Sequence, residues 1–190
     1  WINNWAMKNY IHPAVMAFVH EYPQVFECYA DNPQDKNPYN FNPMTGNTKT
    51  FTSHRSMAQS SNIVAARAEL GEAFLPLLAG TIGESAARDL EAMVNLSEAL
   101  PSRKLVAKDP EGTKLPQGTA ARFLMAFSLA ASVTEETIDA YLTYMERVGG
   151  ESFEAYSLFV MSLASNDQKV GMACRNQKFT KACASLGKYF

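Results

Sequence analysis

Arg55 is the residue whose type and position most directly suggest a chemical role. Thr52 or Ser53 is suited to cap a helix, and Arg55 would then lie in the first turn of that helix. A cation there faces the positive end of the helix dipole, which is mildly unfavourable. Two interpretations remain open. Either the guanidinium points into solvent at a small energetic cost, or it binds an anion beside the free N–H groups of the helix start.

A phosphate-binding loop is not predicted elsewhere in the chain. Such a loop needs glycines followed by Lys and then Ser or Thr, and the glycine cluster Gly80-Thr81-Ile82-Gly83 lacks the lysine. The cluster is better explained as a turn before a helix, with Thr81 and Glu84 forming a capping box. No apolar run ends in Asp-Glu to hold magnesium.

Metal binding and side-chain catalysis also lack a supporting motif. His12 and His20 are two helical turns apart, too far to bind one ion jointly, and His54 has no metal-ligand spacing to either. The pair Glu135-Glu136 is predicted in a first helical turn, where the helix dipole favours acidic side chains without any catalytic role. No metal site is therefore predicted, and no motif indicates Ser–His–Asp or Cys–His chemistry.

Composition predicts a soluble globular protein. The chain has 190 residues, 47% of them hydrophobic and 19% charged, with a net charge of -2, so nucleic-acid binding is not indicated. The apolar stretch around 122–133 is too short to cross a bilayer. Three cysteines without CxxC spacing indicate reduced thiols and a cytoplasmic location. Trp1 already lies in an amphipathic pattern, which predicts that the chain is part of a longer protein.

Apolar residues recur at helical spacing along most of the chain, which predicts an all-α fold. Gln117–Ala131 is apolar almost all round and is predicted to be the central buried helix. Ser132 and Glu135 are expected to form a second capping box. Asp31–Thr50 is predicted to be a long loop, and Pro101–Pro116 a polar connection. The stripes that predict the other main helices are Ile11, Val15, Phe18, Val19 and Tyr22; Met57, Ser61, Val64 and Ala68; Ile82, Ala86, Leu90, Met93 and Val94; Ile138, Tyr141, Leu142, Met145 and Val148; and Phe153, Tyr156, Val160 and Leu163.

Two cores are expected from these stripes. Trp1, Trp5, Phe18 and Val64 should share the first, and the second should contain Leu124, Phe127, Leu142 and Phe159. The tail from Gln168 to Phe190 is predicted to be helical as well.

Several segments resemble the lid of MoxR-like AAA+ ATPases, especially phage-type members. They are Trp1-Ile-Asn-Asn-Trp5-Ala6, Ile11-His12-Pro13, the stretch Thr52-Ser53-His54-Arg55-Ser56-Met57, and Ala79-Gly80-Thr81-Ile82-Gly83-Glu84. In that family a Pro-Arg-Ser-Trp-like stretch starts the helix after an irregular loop, where this chain has His54 and Met57 around Arg55-Ser56. Methionine fills core space much as an aromatic side chain does. The resemblance covers roughly residues 1–100.

The resemblance implies a role for Arg55 in nucleotide binding. Arg55 matches the sensor-2 arginine, which reaches from the lid to the γ-phosphate of ATP bound on the neighbouring core domain. ATP and Mg²⁺ would be cofactors of the full-length protein only. Its phosphate loop, magnesium-binding carboxylates and arginine finger would lie before Trp1, so the chain alone is expected to hydrolyse no ATP. Residues 1–100 would form an AAA+ lid-like helical region, and residues 101–190 a C-terminal helical extension packed on it.

Two functions remain open at this point. In the first, the chain is the lid portion of an AAA+ ATPase that couples ATP hydrolysis to remodelling of an unknown protein client. Its partners would be the core domain upstream of Trp1 and the neighbouring subunits of a hexamer, with no membrane partner. In the second, it is a stand-alone helical interaction or assembly module, for instance of a phage. That module would bind through exposed helical faces or the loop Asp31–Thr50.

Overall fold

The computed structural model describes residues 1–30, 37–44 and 50–187, and within these ranges it contains helices and no strand. The predicted all-α fold is therefore confirmed. A π-helical turn covers Ile2–Ala6, and 3₁₀ turns cover Pro23–Phe26 and Gly71–Ala73. The α-helices are α1 (Pro13–Glu21), α2 (His54–Ala65), α3 (Arg67–Leu70), α4 (Phe74–Ile82), α5 (Glu84–Ala99), α6 (Arg103–Lys108), α7 (Thr119–Ser132), α8 (Ile138–Gly149), α9 (Phe153–Ala164), α10 (Val170–Ala173) and α11 (Gln177–Leu186). No helix in the described ranges is both long and apolar enough to cross a membrane.

Helix α7 is at the centre of the bundle, as its composition predicts. It packs against α1, α5, α6, α8 and α9. Eight of its residues are buried, including Leu124 and Phe127. Because neighbours surround this helix on several sides, apolar residues are favourable around most of its circumference.

Helix α1 connects the two halves of the sequence. It packs against α7 and α5, with smaller contacts to α2, and six consecutive residues from Ala14 to Val19 are buried. The buried apolar residues before and after position 100 belong to one continuous cluster. The division into 1–100 and 101–190 remains a prediction.

The predicted core residues are buried, except for the two tryptophans. Phe18, Val64, Leu124, Phe127, Leu142 and Phe159 are all buried. Trp1 is only partly buried, and Trp5 is 41% exposed. The prediction for Trp5 was wrong because the π-helical turn directs Ala6 into the core, while Trp5 stacks on Trp1 near the surface, with ring centroids 5.7 Å apart.

The end of α2 differs from the prediction. The stripe was expected to continue to Ala68, but α2 ends at Ala65 and Ala68 is exposed. Ala66 leaves the helical conformation with ψ near 10°. The side chains of α3 therefore do not continue the faces of α2. The residue at a helical spacing from Val64 therefore no longer faces the core.

The capping box predicted at Thr81 and Glu84 does not form. Thr81 lies inside α4, and its hydroxyl donates to the carbonyl of Leu77 at 2.8 Å. Gly83 ends α4 and precedes α5 directly, with a φ of 86°. A glycine takes up this left-handed conformation without steric cost, so no separate capping turn is needed.

The capping box predicted at Ser132 and Glu135 is also absent. Ser132 is the last residue of α7, and its hydroxyl donates to the carbonyl of Ser128 at 3.0 Å. Helix α8 begins only at Ile138, after a turn in which the Thr134 N–H donates to the Thr137 hydroxyl at 2.9 Å. Glu135 and Glu136 therefore lie in this turn and not in the first turn of a helix.

The segment Pro101–Pro116 contains a helix that the sequence pattern did not predict. Ser102 caps α6 by accepting from the N–H of Leu105 at 3.2 Å, and Val106 is fully buried. The residues that follow are bound to α8, since Arg147 donates to the Pro110 and Thr113 carbonyls at 2.6 and 3.0 Å. One buried side chain in a short polar helix gives too little periodicity to detect.

The long loop predicted over Asp31–Thr50 lies partly outside the described residues, namely at 31–36 and 45–49. Residues 37–44 contain no helix, in agreement with the prediction. The predicted helical tail is confirmed through α10 and α11, and residues 188–190 lie outside the described ranges.

Candidate functional site

The start of α2 is fixed by a reciprocal pair of hydrogen bonds. The Ser53 hydroxyl accepts from the N–H of Ser56 at 3.1 Å, and the Ser56 hydroxyl accepts from the N–H of Ser53 at 2.9 Å. Ser53 is therefore the cap, which decides between the two residues that the sequence left open. This capping box satisfies helix-end groups and fixes the direction of the first turn.

Arg55 lies in that first turn and is exposed. Among the described residues, its guanidinium forms no hydrogen bond or ion pair. A guanidinium has five N–H donors and can bind a carboxylate or phosphate in a bidentate manner. Arg55 is thus free to bind an anion presented by another molecule or domain.

An aromatic cluster supports the start of α2 from one side. The His54 ring stacks on the Phe26 ring with centroids 4.0 Å apart and planes 17° from parallel. The rings of Trp1 and Phe26 meet edge to face, with their centroids 5.3 Å apart. Trp5 stacks on Trp1. Aromatic pairs of these kinds contribute about 0.5–1.5 kcal/mol beyond the area they bury. The cluster therefore packs His54, the residue next to Arg55, against Phe26.

Thr52 and Tyr39 hold the chain immediately before α2. The buried hydroxyl of Thr52 donates to the carbonyl of Val25, and the N–H of Thr52 donates to the carbonyl of Tyr39 at 2.9 Å. The Tyr39 hydroxyl donates to the Asp89 carboxylate on α5 at 2.8 Å. Burial, and then this hydrogen bond, raise the pKa of Tyr39 well above its ordinary value. These bonds tie the residues before Ser53 to the helical core.

A mostly apolar cavity of about 470 Å³ opens beside this helix start. Its walls include Phe26, Phe41, Phe51 and His54, and the rings of Phe41 and Phe51 are 5.4 Å apart. Phe41 and Phe51 are partly exposed. Arg55 directly follows the cavity-lining His54 in sequence, and its exposed guanidinium can bind an anion. The lining also contains the Cys28 thiol and the His54 ring, but no hydrogen bond joins these two groups among the described residues.

The three histidines lie in separate environments. His12 caps α1, since its Nδ1 accepts from the N–H of Ala14 at 3.2 Å. His20 lies 3.4 Å from the Glu154 carboxylate and meets the edge of Phe123. Across residues 1–30, 37–44 and 50–187, no three His, Cys, Asp or Glu side chains come together in a way that could hold a metal ion.

No protein-family model, curated protein or solved structure matches this chain.

Sequence reasoning identified Arg55 and its helix, but it missed the surroundings of that residue. The stacking of His54 on Phe26 joins residues 28 positions apart, and the bond from Tyr39 to Asp89 joins residues 50 positions apart. Helical periodicity carries no information on contacts at such separations. The aromatic character of the segments around Phe26 and Phe51 was the one available signal.

Proposed function

We propose that this chain is the helical lid portion of an AAA+ ATPase that couples ATP binding and hydrolysis to the remodelling of a protein partner. In this function Arg55 acts as the sensor-2 arginine. ATP and Mg²⁺ are bound by a core domain that precedes Trp1 in the longer protein, and the chain contributes one side of the nucleotide site. The protein works in the cytoplasm as a hexamer, and its client is an unidentified protein.

The state of Arg55 is the observation that supports this function best. An arginine in a first helical turn is electrostatically unfavourable without an anion, and Arg55 has no acidic partner among the described residues. Its backbone is nevertheless fixed by the Ser53–Ser56 capping box and by the packing of His54 on Phe26. A cation that has no partner among the described residues, on a helix start held by these contacts, is suited to bind a phosphate that arrives from another domain.

The experiment replaces Arg55 with Ala in the longer protein that contains the core domain. A charge-assisted hydrogen bond to phosphate contributes about 1.5–3 kcal/mol, so steady-state ATP turnover should fall by about tenfold or more. Arg88→Ala is the matched control, because Arg88 is an exposed arginine already paired with Glu84 at 2.6 Å. Turnover of this control should remain close to that of the wild type.

Thermal unfolding of the Arg55→Ala chain distinguishes a functional loss from a structural one. An exposed arginine without partners contributes little to stability, so the midpoint should not change. Wild-type turnover in the longer mutant protein would remove Arg55 from the nucleotide site. Slow turnover together with a large loss of stability would instead make Arg55 a structural residue.

A second candidate is a stand-alone helical interaction or assembly module, as in a phage. It is favoured by the exposed apolar side chains Phe41, Met44 and Phe51, which lie close together in sequence. Exposed apolar patches often mark protein–protein contacts. The reading frame upstream of Trp1 discriminates between the two functions, since a phosphate-loop motif there supports the ATPase and a start codon there supports the module.

A further inference from the structure

A second cavity, of about 510 Å³, lies where the helices before and after position 100 meet. It is bounded by the start of α1, the end of α5, the start of α6 and one side of α7. Leu124 and Met125, both buried, supply apolar wall, and Leu100 and Pro101 close another side. Pockets for small organic molecules usually have about 300–1,000 Å³ and an apolar lining with a few polar groups. The volume of this cavity lies in that range, and half of its described lining residues are apolar.

Four hydrogen-bond donors of the cavity lining donate to no protein group among the described residues. Among the described residues, the guanidinium of Arg103 and the hydroxyl of Ser128 form no hydrogen bond or ion pair. The Nδ1 of His12 accepts from the N–H of Ala14, so in the neutral ring the proton is on Nε2. That N–H has no acceptor among the described residues. The hydroxyl of Ser102 accepts from the N–H of Leu105 and likewise has no acceptor among the described residues. One cation and three neutral donors therefore line the same cavity.

The single acidic side chain in the described lining limits the charge that a ligand can carry. Glu98 lines the cavity, and its carboxylate is bound to Arg67 at 2.8 Å. The pair leaves Arg103 as the only unpaired cation among the described lining residues. One guanidinium balances one negative charge, and the described lining offers no second unpaired cation for a ligand with two negative charges.

We infer that this cavity binds a small organic monocarboxylate with an apolar body. The Arg103 guanidinium binds the carboxylate, the Nε2–H of His12 and the hydroxyl of Ser128 are further donors to it, and the apolar body packs on the partly exposed side chains of Leu100 and Pro101. Arginine suits this role because its planar fork matches the two carboxylate oxygens. The site lies apart from Arg55 and goes beyond the proposed ATPase function.

The protonation state of His12 is consistent with this assignment. Desolvation, and then the positive charge of Arg103, lower the pKa of His12 below its ordinary value of 6.5. The ring is therefore neutral at neutral pH, and it keeps one acceptor for the helix cap and one donor for the cavity.

The experiment titrates hexanoate into the full chain and follows the methyl resonances of Met125 and Leu124 by NMR. Hexanoate should bind saturably with a Kd in the millimolar range or tighter, and it should shift both signals. Arg103→Ala should weaken binding by about tenfold or more, since hydrogen bonds to a charged group are strong. Arg103→Lys should restore part of the affinity because the charge remains. Arg88→Ala, which removes an exposed arginine from outside the cavity, should leave binding unchanged.

Hexanol, acetate and inorganic phosphate complete the test. Hexanol lacks the charge and acetate lacks the apolar body, so each should bind more weakly than hexanoate. Phosphate that binds as tightly as hexanoate in an Arg103-dependent manner would overturn the assignment of the ligand class. Absence of saturable hexanoate binding, or equal binding by the wild type and a folded Arg103→Ala variant, would overturn the site itself. Unchanged thermal unfolding of Arg103→Ala establishes that this variant is folded.

Discussion

His12 is placed so that its charge state affects the stability of the fold. Its ring caps α1, and its backbone N–H donates to the Ser61 hydroxyl on α2 at 2.8 Å. Burial is the larger cause that lowers its pKa below 6.5, and the charge of Arg103 is the second. Protonation would also remove the Nδ1 lone pair that accepts from the N–H of Ala14.

The sign of the pH dependence follows from the lowered pKa. Protons bind the unfolded chain more readily than the folded one, so the contribution of His12 is fully present above pH 6.5. It is lost as the pH falls through the folded-state pKa. We expect the wild-type chain to lose stability from about pH 7.5 to about pH 5, with His12 as one contributor.

His12→Asn tests this prediction by thermal unfolding across the same pH range. Asparagine is a good helix cap and does not titrate, so the variant should be less sensitive to acid than the wild type. His54→Asn controls for the removal of a histidine elsewhere. Identical pH profiles for the wild type and His12→Asn would show that protonation of His12 does not lower the stability of the folded chain.

At the scale of the elements, glycines determine where several helices begin and end. Gly83 separates α4 from α5 with a φ of 86°, and a Cβ at this position would lie 3.0 Å from the carbonyl oxygen of Thr50. Gly80, three residues earlier, lies within α4, and a Cβ added there would meet no heavy atom within 4 Å. The two glycines therefore have opposite requirements, although they lie in one short motif.

Gly83→Ala should destabilise the chain by about 1–3 kcal/mol, because alanine resists the left-handed conformation and meets the Thr50 backbone. Gly80→Ala is the matched control and should be neutral or stabilise the chain by roughly 0.5–1 kcal/mol, since alanine is favoured inside a helix. Urea unfolding of both variants measures the difference. Equal midpoints for the two variants would contradict the role assigned to Gly83.

At the scale of the whole molecule, the position of α7 explains its sensitivity to substitution. Leu124 is buried on α7, which packs against helices from both halves of the chain. A leucine-to-alanine change in such a core costs about 2–5 kcal/mol. Leu124→Ala should therefore lower the thermal midpoint by about 4 °C or more for a chain of this size.

Leu77→Ala is the comparison for this variant. Leu77 is 45% exposed on α4, so its removal should change the midpoint much less. If the two variants had equal midpoints, α7 would not have the central role that its packing indicates.

The purified chain should release no phosphate from ATP above background. The chain contains no phosphate-loop sequence, and its described residues offer no three-residue metal cluster. A colorimetric phosphate assay measures this, with contaminating ATPases excluded by repeated purification. Activity that stays with the chain would contradict its proposed role as the lid of a larger enzyme.

The sequence by itself determined the secondary structure class and most of the buried residues. Helical stripes such as Ile138 to Val148 depend only on local spacing, and burying such a stripe is favourable in any helical bundle. The first-turn position of Arg55 was likewise predictable, because helix capping depends on residues that lie within a few positions of each other in the sequence.

Only the tertiary structure decided which residues far apart in sequence contact each other. It also decided which of two neighbouring local motifs forms. Trp5 fits a buried stripe but lies near the surface, and Val106 anchors a helix within a segment of little periodicity. The capping box predicted at Thr81 does not form. Gly83 separates the two helices instead, because a glycine in the left-handed conformation can end one helix and open the next. Arg103 and His12 come to the same cavity only when α1 and α6 both pack on α7, since 91 positions separate them. Packing joins such residues, whereas periodicity describes one helix at a time.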